Sequence, residues 1–298
     1  MQEREFGFSG GSLYYEIRGG KAWITRFQGL TSVVEIPESI EGCPVSAIGK
    51  KAFLSKKNLR RVGLPDSVEE VGDWAFAYCD NLTEVLVPEK DIRFGKAVFL
   101  DCGSLGRIAL ARRRETGDFQ PELLAAAVTA FEAYYLLDIE NVGNKEWLEK
   151  WDARLGTLLR TPDQEGYSKQ VLCGEEDYGS TDLAAYIGNR RKEKVRLALL
   201  RLLFPEGLSA VLREELEQYL RAHTRGGESE ETWQVILEEH NGDRAYFSLF
   251  AELGCVTGEN LDSILADIGE RYPEVKAFFL RSREEQLCAR DFFGDLEL

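Results

Sequence analysis

Leu59-Arg60-Arg61-Val62-Gly63-Leu64-Pro65 returns 23 residues later as Leu82-Thr83-Glu84-Val85-Leu86-Val87-Pro88, and after another 23 as Leu105-Gly106-Arg107-Ile108-Ala109-Leu110. The apolar positions recur while the residues between them change charge and size, which marks a structural period. Other columns keep the spacing: Gly49, Gly72 and Gly95; Phe53, Phe76 and Phe99; Ala52, Ala75 and Val98; and Cys79 with Cys102, preceded by Lys56 at the matching place. Upstream, Val34-Glu35-Ile36-Pro37 precedes its counterpart by 28, because five extra residues around Glu41-Gly42-Cys43-Pro44 lengthen that copy.

Each unit reads as one short strand with residues such as Val62 and Leu64 inward, stopped by a proline. Val68 and Val71 follow, then Gly72, then a turn of helix carrying Ala75 and Phe76 inward. No unit buries these residues alone, so successive units must stack, with their strands in a parallel sheet and Phe53, Phe76 and Phe99 layered on the opposite side. Ahead of the repeats, Leu13–Ile17 and Ala22–Thr25 flank Gly19-Gly20 and read as a β-hairpin capping the open end.

The string from Ile36 to Phe53 and the block from Leu64 to Val85 resemble the BspA-type bacterial leucine-rich repeat, since proline, glycine, alanine-phenylalanine and cysteine columns all coincide. The resemblance covers about residues 20–110, and the copy from Gly95 departs from it as a degenerate terminal unit would. It implies a binding scaffold, of a family many of whose members are exported. The start of this chain, charged and then glycine-rich, has no apolar segment of the secretory kind, so the expected location is cytoplasmic, or exported if Met1 is not the native start.

From about Pro121 the period becomes helical. Helices are expected over Pro121–Leu137, over Lys145–Arg160 with Trp147, Trp151 and Leu155 on one face, over Glu193–Phe204, over Leu208–Ala222, around Tyr246–Leu253 ending at Gly254, after a Thr257 cap, and from Pro273 with Val275, Phe278 and Phe279. Helix, short turn, helix recurs, loosely similar to ankyrin or HEAT arrays, with a compact bundle as the alternative. The fold class is therefore α+β: a short leucine-rich stack with a hairpin cap over 1–112, joined near 111–120 to an all-α helical-hairpin domain over 113–298. Net charge follows the same division. Residues 1–112 balance 15 acids with 15 bases, so the whole −15 of the 298-residue chain lies in the second half. Such a half repels phosphate backbones and anionic bilayers, which excludes nucleic acid and membrane as expected partners. The longest uncharged apolar stretch, Leu123–Phe131, is nine residues, against about 18 or more for a spanning helix.

The expected partner is a protein or peptide, bound on the strand surface. Arg61, Glu84 and Arg107 form one outward column and Gly63, Leu86 and Ala109 its neighbour, so Arg61, Glu84, Leu86 and Arg107 are the candidate binding residues. The competing reading is an ion-pair ladder at about 4.8 Å strand spacing. Chemistry is sparse. Cys173 beside Glu175, Glu176 and Asp177 would need His223 or His240 to act as a nucleophile, and no protease signature surrounds it. The same acids with Asp182 lack the spacing of a calcium loop. Neither a metal nor a cofactor is expected, and an enzyme at Cys173/Glu175–Asp177 or an exported adhesion protein stand as alternatives to the scaffold. The cysteines read as reduced and packed. Asn81-Leu82-Thr83 matches a glycosylation acceptor but sits at a repeat turn.

Overall fold

The computed structural model describes residues 2–111, 120–165, 167–168, 182–240 and 242–281. Two compact units emerge, Met1–Arg154 and Leu155–Leu298. The change from strand to helix falls between Leu110 and Pro121, within the first of them.

In the first unit, β1 (Arg4–Phe8), β2 (Gly11–Arg18) and β3 (Lys21–Gly29) form an antiparallel cap. Gly19 and Gly20 take positive φ of 55° and 76° at the β2–β3 turn, a conformation that glycine adopts without steric penalty. The chain then winds through β4 (Val33–Glu35), β5 (Ser39–Ile40), β6 (Cys43–Ile48), β7 (Arg61–Gly63), β8 (Glu70–Val71), β9 (Glu84–Val87), β10 (Arg93–Phe94) and β11 (Arg107–Leu110). β11-β9-β7-β4 make one parallel sheet, and β3-β6-β8-β10 continue the cap as a second. Each repeat thus contributes two strands, where the sequence pattern showed one.

The segment carrying the phenylalanine is a run of turns and not the expected turn of helix. Its N–H groups bond to the next coil: Phe53 to Ala75 O at 2.7 Å, Ser55 to Ala77 O at 2.9 Å, Phe76 to Val98 O at 3.0 Å and Tyr78 to Leu100 O at 2.7 Å. Backbone donors satisfied between coils are not available for a helix. Lys51, Trp74 and Ala97 in one column, and Ser55, Tyr78 and Asp101 in another, hold φ of 51–61° and bend the chain at each coil. The rings of Phe27, Phe53, Phe76 and Phe99 stack at centroid distances of 5.2, 5.0 and 5.7 Å, with Phe8 at 6.2 Å from Phe27. Burying such a ring stabilises by about 1.5–3 kcal/mol. The glycine column marks close approach of coils: a Cβ on Gly72 would sit 2.7 Å from Lys50 N, and one on Gly95 2.5 Å from Asp73 N.

The far end of the stack is covered by α1 (Pro121–Thr129), which packs on β11 and buries Leu123, Leu124, Ala127 and Val128. The single helix expected to Leu137 breaks here. Phe131 N–H and Ala133 N–H fold back on Ala126 O and Ala127 O, Glu132 turns left-handed, and a separate 3-10 turn spans Tyr134–Leu136. The first turns of α2 (Lys145–Arg160) pin this cap, with Trp147 Nε1 donating to Leu136 O and Trp151 Nε1 to Leu123 O, each at 2.9 Å.

In the second unit, α3 (Leu183–Leu203) packs against α4 (Ala210–Ala222), α5 (Glu231–Glu239) and α6 (Arg244–Glu252), so a long helix is surrounded by its successors. It begins ten residues before the expected Glu193, where Asp182 accepts Ala185 N–H at 3.0 Å. α7 (Leu261–Ile268) and a helix over 273–281, α8, complete the described part. Gly254 ends α6 at φ 70°, as its position implied. Ahead of α7, Thr257 N–H donates to Asn260 Oδ1 and Asn260 N–H donates to Thr257 Oγ1. The aromatic core joins Trp233 of α5 to Phe247 and Phe250 of α6 and Phe279 of α8, at 6.2, 5.3 and 6.4 Å.

Candidate functional site

The outward face of the β4-β7-β9-β11 sheet carries two rows set by strand register. Val33, Arg61, Glu84 and Arg107 align in one, and Glu35, Gly63, Leu86 and Ala109 in the next. The alternate residues Val34, Val62, Val85 and Ile108 point inward and are fully buried, which locks the register, because a one-residue slip would expose all four.

All four expected binding residues therefore lie together on one face. The charged row is a ladder: Glu84 takes Arg61 Nε on one oxygen at 3.3 Å and Arg107 Nε on the other at 3.4 Å. Two further carboxylates, which the repeat columns did not reveal, extend it. Glu35 lies 3.8 Å from Arg61 Nε, and Glu122 of α1 pairs with Arg107. Glu35 reaches its place across Gly63, where a Cβ would fall 1.8 Å from its Oε2. The glycine leaves room for Glu35 to lie over the strand, where a larger residue would push this exposed carboxylate aside, and no motif in the local sequence announces the pair. The guanidiniums remain 44% and 48% exposed, so each pair contributes on the order of 0.2–1 kcal/mol. Leu86 and Ala109 are half-buried beside the ladder, and at the β4 edge Val33 and Leu30 are 45% and 82% exposed.

Behind this face the inward cysteines brace the coils. Cys79 Sγ donates to Phe53 O and Cys102 Sγ to Phe76 O, each at 3.1 Å. Burial pushes the Cys79 thiol up to about 11 and the Cys102 thiol up to about 12, which keeps both protonated at neutral pH. Asn81 Nδ2 is committed to Lys57 O at 2.7 Å, a bond that ties one coil to the next.

The repeat family's model, described as "BspA type Leucine rich repeat region", matches six copies over residues 27–118. Residues 27–118 are a BspA-type leucine-rich repeat region. Solved structures similar to the chain are leucine-rich repeat proteins as well. One from T. pallidum is 32% identical, with 34% of this chain and 48% of that one covered at a TM-score of 0.32. A leucine rich cell surface protein from Faecalibacterium prausnitzii is 25% identical, covering 35% and 30% at 0.31, and a leucine-rich repeat protein from Bacteroides capillosus 23% identical, covering 36% and 97% at 0.28. The chain thus spans about half the length of the T. pallidum protein. No curated protein matches it. The BspA-type repeats account for residues 27–118, within the first unit, while the helical unit is assigned to no family by these matches.

Cys173, Glu175, Glu176 and Asp177 lie outside the described residues. Asp182, grouped with them by sequence, is the N-cap of α3, and both histidines close helices. His223 stacks on Tyr219 at 4.0 Å and His240 on Tyr246 at 3.5 Å. Among the described residues no group of three or more His, Cys, Asp or Glu side chains could hold a metal, and no helix is long and apolar enough to cross a membrane.

Proposed function

We propose that the BspA-type repeats act as a rigid, non-catalytic scaffold that binds a protein or peptide across the β4-β7-β9-β11 face, with Leu86 at the centre and Arg61, Glu84 and Arg107 around it. The observation that carries this reading is the pairing of charge along the face. Because Glu35, Glu84 and Glu122 together pair with both guanidiniums, a partner need supply no counter-charge, and it meets half-buried Leu86 and Ala109 on a surface already ordered. A rigid surface loses little conformational entropy on association. The −15 chain charge supports a protein in place of a nucleic acid or an anionic bilayer.

The test compares the full chain with Leu86→Glu and Arg61→Glu as baits for a lysate of the native host. A species retained by the parent and by a Glu217→Gln control on α4, but lost from both face variants, supports the proposal. Identical retention by parent and face variants, with unchanged melting temperatures, refutes it.

A further inference from the structure

The second sheet presents a different surface. Register sets Trp23, Ala47, Glu70 and Arg93 in one row across β3, β6, β8 and β10. Next to that row the chain turns at Gly49, Gly72 and Gly95, and a groove of about 440 Å³ runs between Arg18 and Trp23 at one end and Lys50 and Asp73 at the other. Stacking itself demands those glycines, as the 2.7 and 2.5 Å approaches at Gly72 and Gly95 show, so the groove belongs to the repeat and is not an accident of side-chain placement.

Its cations are held differently from those of the strand face. Lys50, Asp73 and Lys96 occupy one 23-residue column, the same plus-minus-plus arrangement as Arg61, Glu84 and Arg107. There the carboxylate bridges both cations, whereas here Asp73 Oδ1 accepts the Lys96 backbone N–H at 2.8 Å. No ion pair joins Lys50, Lys51 or Lys96 to a carboxylate among the described residues. Instead the Lys50 and Lys51 ammoniums stand 4.8 and 5.3 Å from the Trp74 ring centroid, while Arg18, whose guanidinium lies 4.5 Å from the centroid of Trp23, is paired with Glu16 at 2.8 Å. An exposed cation–π contact is weaker than a hydrogen bond to a charged group. The indole therefore positions two ammoniums without neutralising them, and Trp74 is fixed in turn by its backbone, at φ 54° with its N–H on Lys96 O at 3.0 Å.

We infer that this groove and the lysines grouped around Trp74 beside it bind an extended acidic peptide, with carboxylates on Lys50, which lines the groove, and on Lys51 and Lys96 next to it, and uncharged residues along the glycine floor toward Trp23. Glu70 and Asp73 sit among the cations, so negative charge is welcome at the lysine end and unwelcome along the middle. A polyanion with a phosphate at every step meets those carboxylates, and three ammoniums fall short of the about 6–10 phosphate contacts of a salt-sensitive nucleic-acid site. A peptide can place acids at one end only.

The probe is the peptide Glu-Glu-Glu-Ser-Ser-Ser, acidic at one end only, titrated into the full chain at low salt with indole emission and calorimetry as readouts. The expected result is saturable binding, weakened about tenfold or more both by added salt and by the triple change Lys50→Gln, Lys51→Gln and Lys96→Gln. Should the triple variant melt early, Lys51→Glu alone carries the comparison, since Lys51 is exposed and makes no bond to a carboxylate. A Glu217→Gln variant on α4 keeps full affinity, and because the lysine changes lie on the other sheet from Leu86 and Arg61, this site and the strand face succeed or fail separately. Lack of saturation, equal affinity in the lysine variants, loss of binding in Glu217→Gln, or tighter binding of a short oligothymidylate than of the glutamate-serine peptide would each overturn the inference.

Discussion

Single residues in the stack carry two opposed costs, and magnitudes decide between them. Ala97 holds φ 51° without the side-chain bonding that steadies Asn or Asp there. Left-handed backbone costs an L-residue about 1–2 kcal/mol, while glycine adds about 0.4–1 kcal/mol of unfolded-state entropy. Strain relief wins, so Ala97→Gly should stabilise by about 0.5–1 kcal/mol in chemical denaturation, and a lowered midpoint at unchanged slope would contradict that sign. In the neighbouring column Phe76 is fully buried between two rings, whereas Phe8 is half-buried at the end of the stack. Phe76→Ala should therefore cost about 3–5 kcal/mol and Phe8→Ala distinctly less. Equal losses in calorimetry would mean that the column does not act as layered packing. These columns were legible because a period displays every copy of one environment. Lys51, Trp74 and Ala97 were not, since none is a residue type that announces a left-handed bend, and only the inter-coil hydrogen bonds impose it.

Among the elements, α3 shows why apolar periodicity misses polar structure. Within the stretch read as apolar nearly all round, Lys194 is 2% exposed and Arg201 fully buried. Arg201 donates to Phe204 O and Glu206 O where α3 ends, and Lys194 Nζ donates to Asp163 Oδ2 at 2.7 Å and to Thr161 O at 2.6 Å. Tyr219 of α4 donates to the same carboxylate at 3.1 Å, and Arg191 Nε to its other oxygen at 3.2 Å. Burial works to raise the Asp163 carboxyl, but the hydrogen bonds and charges of Lys194 and Arg191 outweigh it and hold the group below its ordinary value. A carboxylate lowered in the folded state contributes stability at neutral pH that is lost as pH falls from its unfolded value of about 4 through the lower folded one. Asp163→Asn should thus cost about 3–5 kcal/mol at pH 7, by leaving Lys194 buried without its counter-ion, and should flatten the acid limb of the stability curve below about pH 4. A variant whose acid limb keeps the parent slope would show that other carboxylates govern it. By contrast Glu84, at 26% side-chain exposure, bridges two solvent-facing guanidiniums, and Glu84→Gln should lose less than about 1 kcal/mol despite two ion pairs. Arg61, Glu84 and Arg107 could be placed from their column, whereas Glu122 could not, because it arrives from a helix beyond the last repeat.

At the scale of the molecule, composition and packing divide the chain at different places. Charge and period change near residue 112, but β11 is covered by α1, and α1 is held in turn by Trp147 and Trp151 of α2. Terminal repeats need such a cover, since an open last coil exposes one unpaired strand and the apolar side of its layer. Removing 113–154 would uncover the β11 side of the stack on which α1 packs, with Ile108 and Leu110. A fragment of residues 1–112 should therefore be destabilised by several kcal/mol and prone to associate through β11, while one of residues 1–162, which keeps the whole of α2, should melt in one cooperative transition. Sedimentation and calorimetry on the two fragments decide the matter: a monomeric, cooperative 1–112 would place the end of the folding unit at the last repeat and reduce α1 to a tether.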